Sequence, residues 1–182
     1  MVENVSSEIY SIIHSIVKDI WINDIRDDYK KDRLRLEGSF QCSMYYHLRR
    51  KIGEQFLEEN NLSIYAEYSY LGKKVDLAIV FNNRGTSEPV ALFELKYKNS
   101  TIDTTFQKDV KKVFRYIEQE PKGAKWKHYL CFIQEAEFEE MTDDFSWISK
   151  ELVSLTKGRT VELTGGLYKA SEEKDYWIIV EH

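Results

Sequence analysis

The sequence predicts an α/β (α+β) protein, a mixed central β-sheet flanked by helices with a helical extension at the N-terminus. Three observations carry that expectation. Two apolar stripes at helical spacing precede residue 60, three strand-like segments follow one another between 62 and 97, and a helix leads into a buried strand between 104 and 134. At 182 residues, with 42% hydrophobic and 31% charged residues, the chain is long enough to bury a core without a disulfide or metal staple. Glycine (8) and proline (2) are scarce, which argues against linkers, and no internal repeat is visible.

Taken in order, Ser6 and Ser7 followed by Glu8 have the character of a helix start. Ile9, Ile13, Ile16, Ile20 and Trp21 then recur at three- and four-residue spacing, widened by Ile12, Val17 and Ile25. This predicts one amphipathic helix over 7–30, with a break available near Asn23. The charged run Asp27–Arg35 turns the chain. Phe40, Met44, Leu48, Ile52 and Phe56 predict a second helix from Glu37 to about Glu58, closed by Asn60-Asn61.

Leu62–Leu71 alternates loosely as a first strand. Gly72-Lys73-Lys74 then connects tightly into Val75–Phe81, and Asn82–Pro89 forms a turn or short loop into Val90–Tyr97. Thr104 or Thr105 opens a third helix to about Gln119, with Phe106, Val110, Val113, Phe114 and Ile117 inward, and Pro121 and Gly123 end it. His128–Gln134 reads as a buried strand. Phe145–Thr156 reads as a helix with Trp147, Ile148, Leu152 and Leu155 inward, and Thr160–Leu163 and Tyr176–Val180 as strands. Residues 1–34 are thus an N-terminal helix and charged turn. Residues 35–182 form the α/β domain, with its core in 35–135.

Net charge is −5, which argues against a polycation that coats nucleic acid. From Glu94 to Lys127, however, nine Lys/Arg face five Asp/Glu. Such a stripe suits phosphodiester contact and equally suits a solvated face. Cys42 and Cys131 lie far apart in apolar segments and are expected as reduced core thiols, with no zinc-ligand spacing. The four histidines form no HxxxH or HxH pair, so no catalytic histidine is expected. The N-terminus lacks a basic leader pattern and no segment is long enough to span a membrane, so a cytoplasmic location and no membrane partner are expected.

The informative chemistry lies in Val90-Ala91-Leu92-Phe93-Glu94-Leu95-Lys96-Tyr97. Side chains alternate along a strand, so Glu94 and Lys96 share one face while Phe93 and Leu95 take the other. Charges in such an apolar strand are costly to bury without a purpose. Asp76 is the sole charge in Val75–Phe81. If that strand pairs antiparallel with Val90–Tyr97, Asp76 and Glu94 come level. Two carboxylates beside an ammonium suit a hard, oxygen-seeking cation such as Mg²⁺, or a salt-bridge cluster without metal. Glu37 begins the sheet-facing stripe of the second helix. It reads as a metal ligand, as a partner one layer out, or as a first-turn acid that favours the helix dipole. Glu67 and Glu135 lie on strand candidates and are expected to face water. Tyr45, Tyr46, Tyr65, Tyr68 and Tyr70 could stack bases, though packing explains them more simply.

Val75-Asp76, followed eighteen positions after the aspartate by Glu94-Leu95-Lys96, resembles the PD-(D/E)XK nuclease superfamily, the restriction-endonuclease-like fold. Val75 stands where the motif name has proline. Glu37 matches the acidic residue many members carry on the preceding helix, and the element order from 37 to 134 matches that core. The resemblance covers roughly residues 35–135. It implies a nuclease that hydrolyses phosphodiester bonds, with Mg²⁺ or Mn²⁺ bound by Asp76 and Glu94 and with the Leu95 carbonyl as an extra ligand. It also implies Lys96 acting on the attacking water. On the following helix Gln107, Asp109, Lys112 and Tyr116 form a polar set. Gln107 and Lys111 share one side, while Lys108, Lys112 and Arg115 share another, and either set could contact phosphate. The partner expected is nucleic acid, DNA first. A homodimer through the N-terminal stripe would supply two cutting centres, although the same stripe could pack on its own core. The rival reading is a non-catalytic module on the same fold that binds nucleic acid or protein.

Overall fold

The computed structural model describes residues 5–83, 85–98, 105–139, 142 and 144–182. Six strands form one mixed sheet in sequence order: β1 (Leu62–Tyr70), β2 (Lys73–Asn83), β3 (Thr86–Lys98), β4 (Lys127–Glu137), β5 (Thr160–Lys169) and β6 (Lys174–Glu181). β1, β2 and β3 are antiparallel neighbours, β3, β4 and β5 run parallel, and β6 returns antiparallel to β5. Helices cover both faces. α1 (Ser7–Asp19) continues through a π-helical stretch, Ile20–Ile25, into α2 (Arg26–Lys30). α3 (Glu37–Ile52), α4 (Glu54–Glu59) and α5 (Thr105–Gln119) follow. The expected mixed sheet flanked by helices is therefore present. No helix among the described residues is long and apolar enough to cross a membrane.

The main core lies between the sheet and the helices that precede it. Ile13, Val17, Ile20, Trp21 and Ile25 pack with Phe40, Met44 and Leu48 of α3 against Leu77, Ile79, Phe93, Leu95 and Tyr129. The N-terminal stripe is thus spent on the chain's own sheet. The Ser6 hydroxyl caps α1 by accepting the Ile9 N–H at 3.3 Å. The weak point near Asn23 is the π-helical stretch, whose wider turn brings Ile20, Trp21 and Ile25 inward together. On the opposite face α5 supplies the crossover that parallel β3 and β4 require. Its Phe106, Val110, Val113 and Ile117 pack on Leu130 and Phe132, and its Tyr116 on Val80 and Leu92.

Several expectations need correction. The second helix breaks at Gly53, whose φ of +81° ends α3 and starts α4. The β1–β2 turn is made by Leu71 and Gly72, both with positive φ, so Lys73 and Lys74 already belong to β2. Strand pairing continues through most of the expected Asn82–Pro89 loop. Ile79 pairs with Ala91 but Val80 with Pro89, so Val90 is a bulge residue and the proline sits where the ladder is already disturbed. The segment Phe145–Thr156 is no α-helix. A 3₁₀ helix covers only Lys150–Thr156, and three residues per turn put Leu152 and Leu155 together on the outer side, 37% and 41% exposed. Trp147 and Ile148 do pack inward. Cys131 is buried as expected, but Cys42 is exposed because Phe40 and Met44 take the inner face of α3. Glu67 and Glu135 face solvent. Thr104 and the polar segment before it lie outside the described residues.

Candidate active site

The β2–β3 register builds the site. Leu77 pairs with Phe93 and Ala78 with Leu92, so one step outward sets Asp76 opposite Glu94. Here the ladder gives way to a side chain: Asp76 Oδ2 accepts the Leu95 N–H at 2.6 Å. The N–H and C=O of a strand residue point to the same side, so the Leu95 carbonyl also faces β2. From α3, Gln41 Nε2 donates to the Asp76 carbonyl at 2.8 Å and fixes the backbone behind the carboxylate.

Alternation along β3 works as expected. Phe93 and Leu95 enter the core under α1 and α3, whereas Leu92 packs with Tyr116 of α5. Glu94 shares the Leu92 face and is 3% exposed. Its Oε2 meets Lys112 Nζ of α5 at 2.8 Å, and the same ammonium donates to the Lys74 carbonyl at 2.6 Å. Glu94 Oε1 is buried and has no hydrogen-bond partner among the described residues. Lys96 Nζ lies 2.9 Å from Glu37 Oε2. Glu37 thus meets the site through Lys96, as a partner one layer out.

The electrostatics are those of crowded, desolvated acids. Burial pushes the Glu94 carboxyl up to about 8, with Lys112 pulling it down and Asp76 and Asp109 pushing it further up. Asp76 is also raised, by burial first, against the pull of the Leu95 N–H and Lys112. Asp109 is raised by burial and lies within electrostatic reach of Lys96, Lys112, Asp76 and Glu37. For Lys96, burial works against the charge, but the Glu37 bond and the Asp109 and Asp76 charges raise it, so it stays an ammonium. Burial and the neighbouring carboxylates Glu94, Asp76 and Asp109 also raise the Tyr116 phenol. Its buried hydroxyl, too, has no hydrogen-bond partner among the described residues.

The remaining basic candidates separate. Lys108, Lys111 and Arg115 are exposed on α5, whereas Lys112 turns inward. Gln107 donates its amide to the Trp147 carbonyl at 2.9 Å and fastens the segment before the 3₁₀ helix. Gln41 is an addition to the expected site, and of the polar set expected on α5, Asp109 and Tyr116 join Lys112 within electrostatic reach of Asp76 and Glu94. Asp109, Lys112 and Tyr116 follow at i, i+3 and i+7, a spacing that marks one helical side.

Among the described residues no three His, Cys, Asp or Glu side chains gather closely enough to hold a metal ion as they stand. The donor chemistry nevertheless fits Mg²⁺ or Mn²⁺. Two carboxylates and a carbonyl are hard oxygen ligands, Mg²⁺ takes few protein ligands and keeps several waters, and Glu94 Oε1 is a buried carboxylate oxygen without a partner among the described residues. No family model, curated protein or solved structure matches the chain.

Proposed function

We propose that the protein is a Mg²⁺- or Mn²⁺-dependent nuclease that hydrolyses phosphodiester bonds, with DNA as its first candidate substrate, on a PD-(D/E)XK-like core. The observation that carries this reading is Glu94: a buried carboxylate with one oxygen unpartnered among the described residues, next to Asp76 across the hairpin and sharing a strand face with Lys96. Such an arrangement is a poor stabiliser and a suitable cation seat. The strand order and the Val75-Asp76 … Glu94-Leu95-Lys96 pattern agree with it.

In this reading Asp76, Glu94 and the Leu95 carbonyl would hold the ion, which supplies charge neutralisation of the phosphate and a more acidic bound water. Gln41 and the Leu95 N–H keep the Asp76 carboxylate in place. Lys96, oriented by Glu37, holds the attacking water or the charge that develops on phosphorus-bound oxygen. Lys108, Lys111 and Arg115 on the outer side of α5 would contact backbone phosphates. Incubating the protein with plasmid, linear, single-stranded and branched DNA, with and without Mn²⁺, tests this. Cleavage should need the metal and vanish in Asp76→Ala and Lys96→Ala; full activity in both variants overturns the assignment.

One observation favours the rival, a non-catalytic binding module. Lys112 and Lys96 already pair with Glu94 and Glu37, so the acids are neutralised without an ion. A Mn²⁺ titration separates the two, since the module predicts no binding at millimolar metal.

A further inference from the structure

Lys112 is the side chain whose position the metal-site reading leaves unexplained, and the inference below rests on that reading. By helical spacing Lys112 belongs with Lys108 and Arg115, which are exposed. It also stands at the edge of the Asp109 and Tyr116 side, and its four-carbon stem reaches the sheet. The ammonium sits 2.8 Å from Glu94 Oε2 on β3 and 2.6 Å from the Lys74 carbonyl on β2. A carboxylate oxygen and a main-chain carbonyl are the ligand types a hard divalent ion takes. Two buried polar atoms of the cluster, Glu94 Oε1 and the Tyr116 hydroxyl within electrostatic reach of Glu94, have no hydrogen-bond partner among the described residues.

We propose that Lys112 is a resident cation: in the metal-free protein it occupies the Glu94 side of the cation seat, and binding of a divalent ion displaces it toward solvent, where its ammonium becomes available to a substrate phosphate. The displacement is short. Lys112 keeps 23% of its side-chain surface exposed, so it needs only a change of rotamer in a flexible stem and no unfolding of α5. A divalent ion brings twice the charge of the ammonium to the Glu94 carboxylate the two would share, so it prevails once its concentration is high enough. The exchange also places one more positive charge near the phosphates at the moment substrate binds. Lys112 would therefore raise the metal concentration the protein needs, and couple metal loading to substrate affinity.

Two measurements on the full chain test this. The first is Mn²⁺ affinity by calorimetry for the wild type, Lys112→Met, Lys112→Arg and Lys108→Met. Removing the resident charge should tighten Mn²⁺ binding about tenfold, while the arginine variant and the exposed-lysine control stay within about twofold of wild type. The second needs no variant: amine acylation read by mass spectrometry, with and without saturating Mn²⁺. Lys112 should become several-fold more reactive with the ion bound, and Lys108 should not change. Unchanged or weaker Mn²⁺ affinity in Lys112→Met, or Lys112 reactivity that stays level or falls, overturns the resident-cation role. Asp76→Asn tells the two levels apart. If it abolishes binding while Lys112→Met matches wild type, only this inference fails; if it binds like wild type, or if no chain binds Mn²⁺, the metal-site reading fails with it.

Discussion

Glu94 and Glu120 are both buried and both stand beside α5, yet their carboxyls shift in opposite directions. Glu120, just past the end of the helix, accepts from Tyr70 Oη at 2.7 Å, Trp126 Nε1 at 3.0 Å and His128 Nε2 at 2.9 Å. Its second oxygen accepts no hydrogen bond among the described residues but forms an ion pair with Arg159 Nη1 at 2.6 Å. Burial works against the charge, but the His128, Tyr70 and Trp126 bonds outweigh it and hold the carboxyl down to about 2. Glu94 has Lys112 on one oxygen and no hydrogen-bond partner among the described residues on the other, and it rises to about 8. The difference teaches how to tell a structural buried charge from a functional one. A charge that serves the fold has a donor or a counter-charge against each oxygen, whereas one that serves chemistry keeps an oxygen with neither among the described residues.

Four experiments break or sharpen that contrast. The largest effect belongs to the unsaturated cluster. Asp76→Ala or Lys96→Ala should lower Mn²⁺-dependent hydrolysis at least about a thousandfold, roughly 4 kcal/mol of transition-state stabilisation, with Tm little changed. Next comes the glutamate paired on both oxygens. Glu120→Ala leaves Arg159 without its counter-charge and His128 without its hydrogen-bond partner and should cost about 3 kcal/mol of stability in urea unfolding, leaving Mn²⁺ affinity as it was. Comparable destabilisation by Glu94→Ala would erase the distinction.

The pH dependence follows with opposite signs. Below about 8 a proton competes for Glu94, so Mn²⁺ affinity should fall up to about tenfold per pH unit as pH drops, and level off above 8. An ordinary carboxylate would give a flat profile down to pH 5. For Glu120 the folded value is depressed from 4.5 to about 2. Its contribution is therefore present above the unfolded value and is lost as pH falls toward 2, a loss that Glu120→Gln should abolish in acid unfolding curves. The smallest effect is Tyr70→Phe. It removes one donor while His128, Trp126 and Arg159 remain, and about 1 kcal/mol should suffice, read from the same urea curves.

Much of this was legible in the sequence where periodicity governs. Alternation put Glu94 and Lys96 on one face of β3, and antiparallel pairing put Asp76 level with Glu94. Helical spacing found the inner faces of α1, α3 and α5. Features that depend on reach or on tertiary contact were hidden. Lys112 stands between the exposed side of Lys108 and the inner side of Tyr116, and spacing alone does not say that its stem reaches Glu94. The Glu120 cluster draws on β1, β4 and the residue before β5, which no local pattern connects. Leu152 and Leu155 looked inward because α-helical spacing was applied to a 3₁₀ turn. The bulge at Val90 was masked by its proline neighbour, which reads as a loop signal when no strand partner is known.

The most direct test of the central claim is a Mn²⁺ titration followed by electron paramagnetic resonance on the wild type and on Glu94→Gln. The account predicts one ion bound per chain, lost in the glutamine variant while the protein stays folded. Equal binding by both proteins, or no binding by either at millimolar Mn²⁺, would contradict it.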